Sequence, residues 1–285
     1  MLYKKYTFHI TLRYNIRMID LKEKLVAKPN SSRTKYGSSF LSSDKTSPPF
    51  GQRALETMIR QNVVERIKRG RYIATRGDQG RANPLTAYPE IIPELLLMGL
   101  DVRHYLSFHS ALWHHGLLEQ QSRTLFVAVD KQQRNFSHNQ TIIKFIRLRK
   151  DSFFGYEIEK IEGQDVHVAS VEKALLDSLK YPQYVGPYPV VLNAIYTAWT
   201  LGTLNPETLV NYALRVGSPF LNRRLGYIME SFAIKGYEPL QKELGRTYAT
   251  TLRGEPYSRK ADTFVNHKWR ILEEPETIYL ARNLK

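Results

Sequence analysis

Residues 63–75 read VVERIKRGRYIAT, and the fold of the N-terminal third turns on how that stretch is taken. Val63, Val64, Ile67, Tyr72 and Ile73 interleave with Glu65, Arg66, Lys68, Arg69 and Arg71, and Gly70 sits in the middle. Glycine supplies the positive φ that a tight hairpin needs, so the spacing predicts two short strands turning at Arg69-Gly70. The same pattern fits an ordinary surface hairpin and the wing of a DNA-binding domain. The flanking sequence decides between them.

Immediately upstream, FGQRALETMIRQN (50–62) places Phe50, Ala54, Leu55, Met58 and Ile59 on one helical face. Gln52, Arg53, Glu56, Thr57, Arg60 and Gln61 fall on the other, which predicts an amphipathic helix of about three turns. Helix followed by basic hairpin is the order of a winged helix-turn-helix, whose helix enters the major groove while the hairpin reaches phosphates or the minor groove. Arginine reads guanine and glutamine reads adenine there, so Gln52, Arg53, Thr57, Arg60 and Gln61 are the candidate base-facing residues. Arg66, Lys68, Arg69 and Arg71 are the candidate contacts to phosphate or the minor groove. Before them, 1–18 reads as a basic, aromatic extension without periodicity, 19–28 as a helix with Asp20 as its cap, and 29–50 as a Ser-, Pro- and Lys-rich loop. The expected division is an extension at 1–18, a winged domain at 19–86 and a second domain at 87–285.

Charge follows that division. Residues 1–86 hold eighteen Lys/Arg against six Asp/Glu, a balance of +12, while the remaining twenty-four and twenty-one leave only +3. Such asymmetry points to a nucleic-acid or anionic-surface module joined to a near-neutral domain. The chain has no cysteine, which excludes disulfides and thiolate metal sites and suits a reducing cytoplasm. Its greasiest run, IIPELLLMGL (91–100), contains Pro93 and Glu94 and is too short to span a bilayer. The expectation is a cytoplasmic protein with no membrane partner.

Beyond residue 104 the pattern is mixed. YLSFHSALWHHGLL (105–118) reads as a helix capped by Ser107 and stopped by Gly116. Strands are expected at 124–130, 141–149, 154–161 and 166–170, with a Gln164-Asp165 turn making a hairpin of the last two. Helices follow at 170–181, 188–202, 205–217 and 219–236, with Asn205-Pro206 and Pro219 as starts, and a short strand at 267–274 closes the domain. The fold class is therefore α/β (α+β): a winged helix-turn-helix followed by a mixed α/β domain with a helical C-terminal part.

Signatures of catalysis are missing. His104, His109, His114 and His115 are spaced by five, five and one, not the three or four that share a helical face, and no carboxylate lies among them. Lys173 and Asp177 can pair at i, i+4, a contact of roughly a few tenths of a kcal/mol on an exposed helix. No phosphate-binding glycine loop, Gly-x-Ser-x-Gly elbow or His-Glu-x-x-His motif is present. YGSSF (36–40) has the Gly-Ser start of a nucleotidyltransferase loop but no Asp-x-Asp metal pair after it. Tyr196, Trp199, Phe145, Phe153 and Phe154 read as core rather than as a stacking surface for bases. The expectation is a non-enzyme with no catalytic residue, no metal and no cofactor.

Three segments in order, YLSFHSALWHHGL (105–117), VHVASVEKALLDSL (166–179) and RRLGYIMES (223–231), resemble the AbiEi-type antitoxins. These are transcriptional regulators of type IV abortive-infection toxin–antitoxin systems. ALETMIRQNVVERIKRGRYIA (54–74) also looks like that family's end of the winged helix, and the similarity spans roughly 50–280. The resemblance implies a repressor of its own operon, bound to its operator as double-stranded DNA, with homodimerisation on an inverted repeat. It further implies an α/β antitoxin domain that counteracts a nucleotidyltransferase-like toxin, with or without a direct complex. A protein-interaction module of a phage-defence system, without sequence-specific DNA binding, is the alternative that the residues leave open.

Overall fold

The computed structural model describes residues 40–42, 56–57, 59–60, 64–68, 71–74, 89–97, 100–138, 140–161, 164–244 and 265–272. The chain divides into two compact units. One comprises Met1–Tyr88, Leu95–Gly99 and Glu162–Gln164; the other comprises Pro89–Glu94, Leu100–Ile161 and Asp165–Lys285.

In the first unit, β1 (Phe40–Ser42), β2 (Val64–Lys68) and β3 (Arg71–Ala74) form a sheet in the order β1-β3-β2. β2 and β3 pair antiparallel, Val64 opposite Ala74 and Lys68 opposite Arg71, with the register shifting between Arg66 and Lys68. Such a shift bends a strand and increases its twist. β1 lies antiparallel on β3, Phe40 opposite Ile73 and Leu41 opposite Tyr72. This corrects the reading of 29–50 as loop. Three residues in a Ser-rich context are too few to show alternation, and their strand state comes from the partner strand. The third strand matters because a lone two-stranded hairpin is marginally stable in water. Glu56, Thr57, Ile59 and Arg60, within the expected helix, are helical.

The second unit is built on a six-stranded mixed sheet. Its strands are β4 (His104–Leu106), β5 (Thr124–Val129), β6 (Phe136–His138), β7 (Thr141–Arg147), β8 (Tyr156–Ile161) and β9 (Gln164–Ala169), in the order β6-β7-β5-β4-β9-β8. β5 runs parallel to β7 over its whole length and antiparallel to β4. β4 in turn is parallel to β9, with Leu106 opposite Val168. Leu125, Val127, Ala128 and Val129 are buried, as the central position of β5 demands. β8 and β9 are joined by two residues, a length that only an antiparallel pair permits.

The helices are α1 (Ile91–Leu97), α2 (Phe108–His114), α3 (Val171–Lys180), α4 (Tyr188–Thr200), α5 (Pro206–Val216), α6 (Pro219–Ser231) and α7 (Glu238–Lys242). α2 packs on both β5 and α3, and α3 touches α2, α4, α5 and α6. α3 is therefore a central helix, and every residue from Glu172 to Leu179 is buried. Its N-cap is Ser170, whose side chain accepts from Lys173 N, and α5 and α6 are capped likewise by Asn205 and Ser218. The stop at Gly116 has a left-handed φ of 70°, with Leu117 N donating to Leu112 O and Gly116 N to Trp113 O, a Schellman motif. Among the described residues no helix is long and apolar enough to cross a membrane.

Several expected boundaries move. The helix expected at 105–118 starts only at Phe108, because Tyr105 and Leu106 pair with Ala128 and Val127 as strand β4. Gln164 and Asp165 belong to β9 rather than to a turn. The helix expected to reach 236 stops at Ser231, with Ala233 at a φ of 57°. Of the strand expected at 267–274, only Ile271–Leu272 (β11) pairs, with Val265–Asn266 (β10), and 267–270 form the turn between them. α1, β6 and α7 were not anticipated. Pro93 obscures α1, yet it falls in the first turn, where no intrahelical N–H bond is lost. Phe145, Phe153 and Phe154 are core residues as expected, while Tyr196 and Trp199 are half-buried.

Candidate functional site

The residues expected to meet DNA are only partly within the described chain. Gln52, Arg53, Gln61 and Arg69 lie outside it. Thr57 and Arg60 are exposed on the helical segment, and Arg66 is exposed on β2. Lys68 ends β2 and Arg71 begins β3, opposite each other across the hairpin. Arg66, Lys68 and Arg71 are thus positions of one hairpin.

A second set of charges is buried. Lys173 is fully enclosed on α3, and its Nζ is bonded to Asp177 Oδ1 one turn later. Asp177 Oδ2 accepts from Tyr105 Oη at 3.0 Å and Ser107 Oγ at 2.9 Å. The Lys173 ammonium also lies 5.0 Å from the Phe154 ring centre and 5.5 Å from that of Tyr105. Burial and the Asp177 charge push the Tyr105 hydroxyl well above its ordinary range. Ser107 occupies the N-cap position of α2, but its hydroxyl bonds to Asp177 instead of a helix N–H. The chain turns sharply there, with Phe108 buried at a left-handed φ of 54°, a conformation that costs a non-glycine residue roughly 1–2 kcal/mol. The rings of Tyr181 and Tyr184 pack edge-on against Phe108 and hold it.

The same helix is secured at its other end. Arg224 on α6 is buried; its Nη2 donates to Leu179 O at 2.7 Å and to Tyr188 Oη at 3.0 Å. A cation at the carbonyl end of α3 is favoured by the helix dipole. The segments 105–117, 166–179 and 223–231 therefore converge on α3, through Tyr105, Ser107, Lys173, Asp177 and Arg224. Closed off from solvent, this network positions elements and offers no group to a ligand.

A third cluster is partly open. Glu94 of α1, His104 at the start of β4 and His167 of β9 bring one donor atom each within 4.8 Å of one another. Glu94 Oε1 accepts from the His167 backbone N–H at 2.7 Å and lies 3.0 Å from His167 Nδ1. Glu94 Oε2 lies 3.2 Å from the same Nδ1 and 2.9 Å from His104 Nε2. Burial raises the Glu94 carboxyl, but the two imidazoles outweigh it and hold the group down at about 2. The bond to Glu94 raises His167 against the opposing effect of burial. No spacing rule reveals this cluster, since its members are 10 and 63 residues apart in sequence and meet only because β4 lies beside β9. His104, just ahead of the helix expected at 105–118, stands on a strand, apart from His109 and His114 on α2. His114 pairs with Glu159, and His115 Nε2 lies 2.6 Å from Ala169 O.

No protein-family model matches the chain, and no curated protein matches it. Among solved structures, the chain is similar to the crystal structure of the Rv2827c protein from Mycobacterium tuberculosis, with a TM-score of 0.52 and 12% identity over 80% of each chain. At that identity the likeness concerns the fold.

Proposed function

We propose that the chain is a DNA-binding transcriptional repressor that also serves as the antitoxin of a type IV abortive-infection system, with no enzymatic activity of its own. The observation that carries the DNA-binding reading is the basic hairpin β2–β3, braced by β1, with Arg66 exposed on it and Thr57 and Arg60 exposed on the helical residues before it. It lies in the third of the chain that holds a balance of +12. In this reading Gln52, Arg53, Thr57, Arg60 and Gln61 meet base edges, and Arg66, Lys68, Arg69 and Arg71 meet phosphates. The antitoxin half rests on the three resembling segments. The implied partners are the operator of its own promoter, bound as a homodimer in the cytoplasm, and a nucleotidyltransferase-like toxin as functional counterpart.

Fluorescence anisotropy with the upstream intergenic duplex tests the reading. Arg66→Ala, Arg69→Ala and Arg71→Ala should each weaken binding about equally on all sequences and lower the salt slope by about one. Arg60→Ala should instead relax sequence preference. Hairpin variants that bind like the parent chain across a salt titration would sink the assignment and favour the interaction-module alternative.

A further inference from the structure

We infer that Glu94, His104 and His167 form a binding site for a divalent first-row transition-metal ion. The first argument is the tautomer of His104. Its Nδ1 lies 3.3 Å from Val102 O, and a carbonyl can only accept, so Nδ1 carries the proton. In the neutral ring that leaves the Nε2 lone pair on the side of Glu94. Nε2 is buried and makes no aligned hydrogen bond, although Glu94 Oε2 is only 2.9 Å away. A lone pair facing a carboxylate oxygen at that distance is unfavourable, and a bound cation beside both would relieve it. A ring proton would have to point along the line joining the two atoms, and the ring does not. Donation of the other ring N–H to a backbone carbonyl is also how metal-bound histidines are commonly held.

The distances specify the kind of site. Two donors about 2.1 Å from one ion are separated by about 3.0 Å when they subtend a right angle, and by about 3.4 Å at the tetrahedral angle. Glu94 Oε2 stands 2.9 Å from His104 Nε2, near the right-angle value, and 3.2 Å from His167 Nδ1, midway between the two. The ion would then lie off the line from Nε2 to Oε2, as the misaligned ring of His104 requires. Two imidazoles and a carboxylate suit Fe(II), Co(II), Ni(II) or Zn(II), and leave positions for water or a further ligand. Access is available, since the His167 side chain is 31% exposed. Binding moves the His167 ring proton from Nδ1 to Nε2 and replaces its bond to Glu94 with a metal ligand. Bound metal would join α1 to β4 and β9 within the second unit.

The test is titration of the untagged, chelator-stripped full chain with Co(II), read by visible absorption, and with Zn(II), read by calorimetry. One saturable equivalent is expected for each. His104→Gln and His167→Gln should each weaken binding by more than the roughly 10–100-fold typical of an outer-shell change. Glu94→Gln keeps an acceptor for the His167 N–H but loses the charge, and should act in the same direction. His114→Gln, at the separate pair with Glu159, should bind like the parent. The inference fails if the parent chain shows no saturable equivalent, or if binding survives both histidine substitutions.

Discussion

Lys173 and Asp177 show how burial alone changes the meaning of a residue pair. At i, i+4 on a helix the two were expected to contribute a few tenths of a kcal/mol, which is right for an exposed contact. Fully enclosed, neither can be left alone without a large cost. Their pairing was legible in sequence but their burial was not, because a ten-residue helix carrying Glu172, Lys173, Asp177 and Ser178 does not look like a core element. Each is satisfied by a particular partner: Asn205 N donates to Glu172 Oε1, and Ser178 Oγ donates to Ala174 O. Removing one member of a buried pair typically costs about 3–5 kcal/mol, whereas replacing both with apolar groups is often neutral. Asp177→Ala strands an ammonium and two hydroxyls, so it should fall at the upper end of that range. Lys173→Met leaves Asp177 its bonds from Tyr105 and Ser107 and should fall at the lower end. The double variant Lys173→Met/Asp177→Leu should recover the part of the Asp177→Ala loss that comes from the stranded ammonium, while the Tyr105 and Ser107 hydroxyls remain without Asp177. Urea unfolding midpoints decide this, and strictly additive losses would refute the coupling.

Among whole elements, the long periodic ones were readable and the short ones were not. α3 carries its Ser170 cap in sequence and α5 both its Asn205 cap and Gly217 stop, and β5 and β7 show their apolar runs. β1, β4, β6 and β11 are two or three residues long, and their state is set by the strand beside them. The C-terminal turn is the clearest case. Trp269 lies against Gly226 of α6, where an added Cβ would stand 2.1 Å from the indole ring, so glycine is required by close approach. Glu230, one turn along, accepts from Lys268 Nζ, Trp269 Nε1 and, at 3.3 Å, Tyr237 Oη. Burial raises the Glu230 carboxyl, but the Lys268 and Trp269 bonds outweigh it and hold it below its ordinary value of 4.5. A carboxyl lowered in the folded state stabilises above its unfolded pKa, and that contribution is lost as pH falls through the folded value. Glu230→Gln should therefore be less stable than the parent chain at pH 7, and the gap should be smaller at a pH well below 4.5. Thermal melts followed by tryptophan fluorescence at both pH values measure it. An equal gap at the two would show that the carboxylate charge contributes nothing.

At the scale of the whole molecule, the partition of charge says more than the net value of +15. A uniformly basic protein would attract DNA from any side, with no part of its surface distinguished. Here a near-neutral unit built on a mixed sheet carries the three converging segments, and the excess cations belong to the part that holds the basic hairpin. At about 0.1 M salt, charges separated by more than roughly 10 Å are largely screened, so the location of a cation should decide its effect. Two charge-reversed variants make that testable with equal changes in net charge. Arg66→Glu/Arg71→Glu alters the hairpin, while Lys235→Glu/Lys242→Glu alters exposed positions of the second unit. On a random-sequence duplex, the hairpin variant should lose at least about tenfold in affinity and about two units of salt slope. The second variant should lose less than about twofold and keep its slope, because its reversed charges would lie outside the DNA contact. Equal losses would mean that the chain responds to DNA through net charge alone, and the hairpin would then have no special claim to the contact.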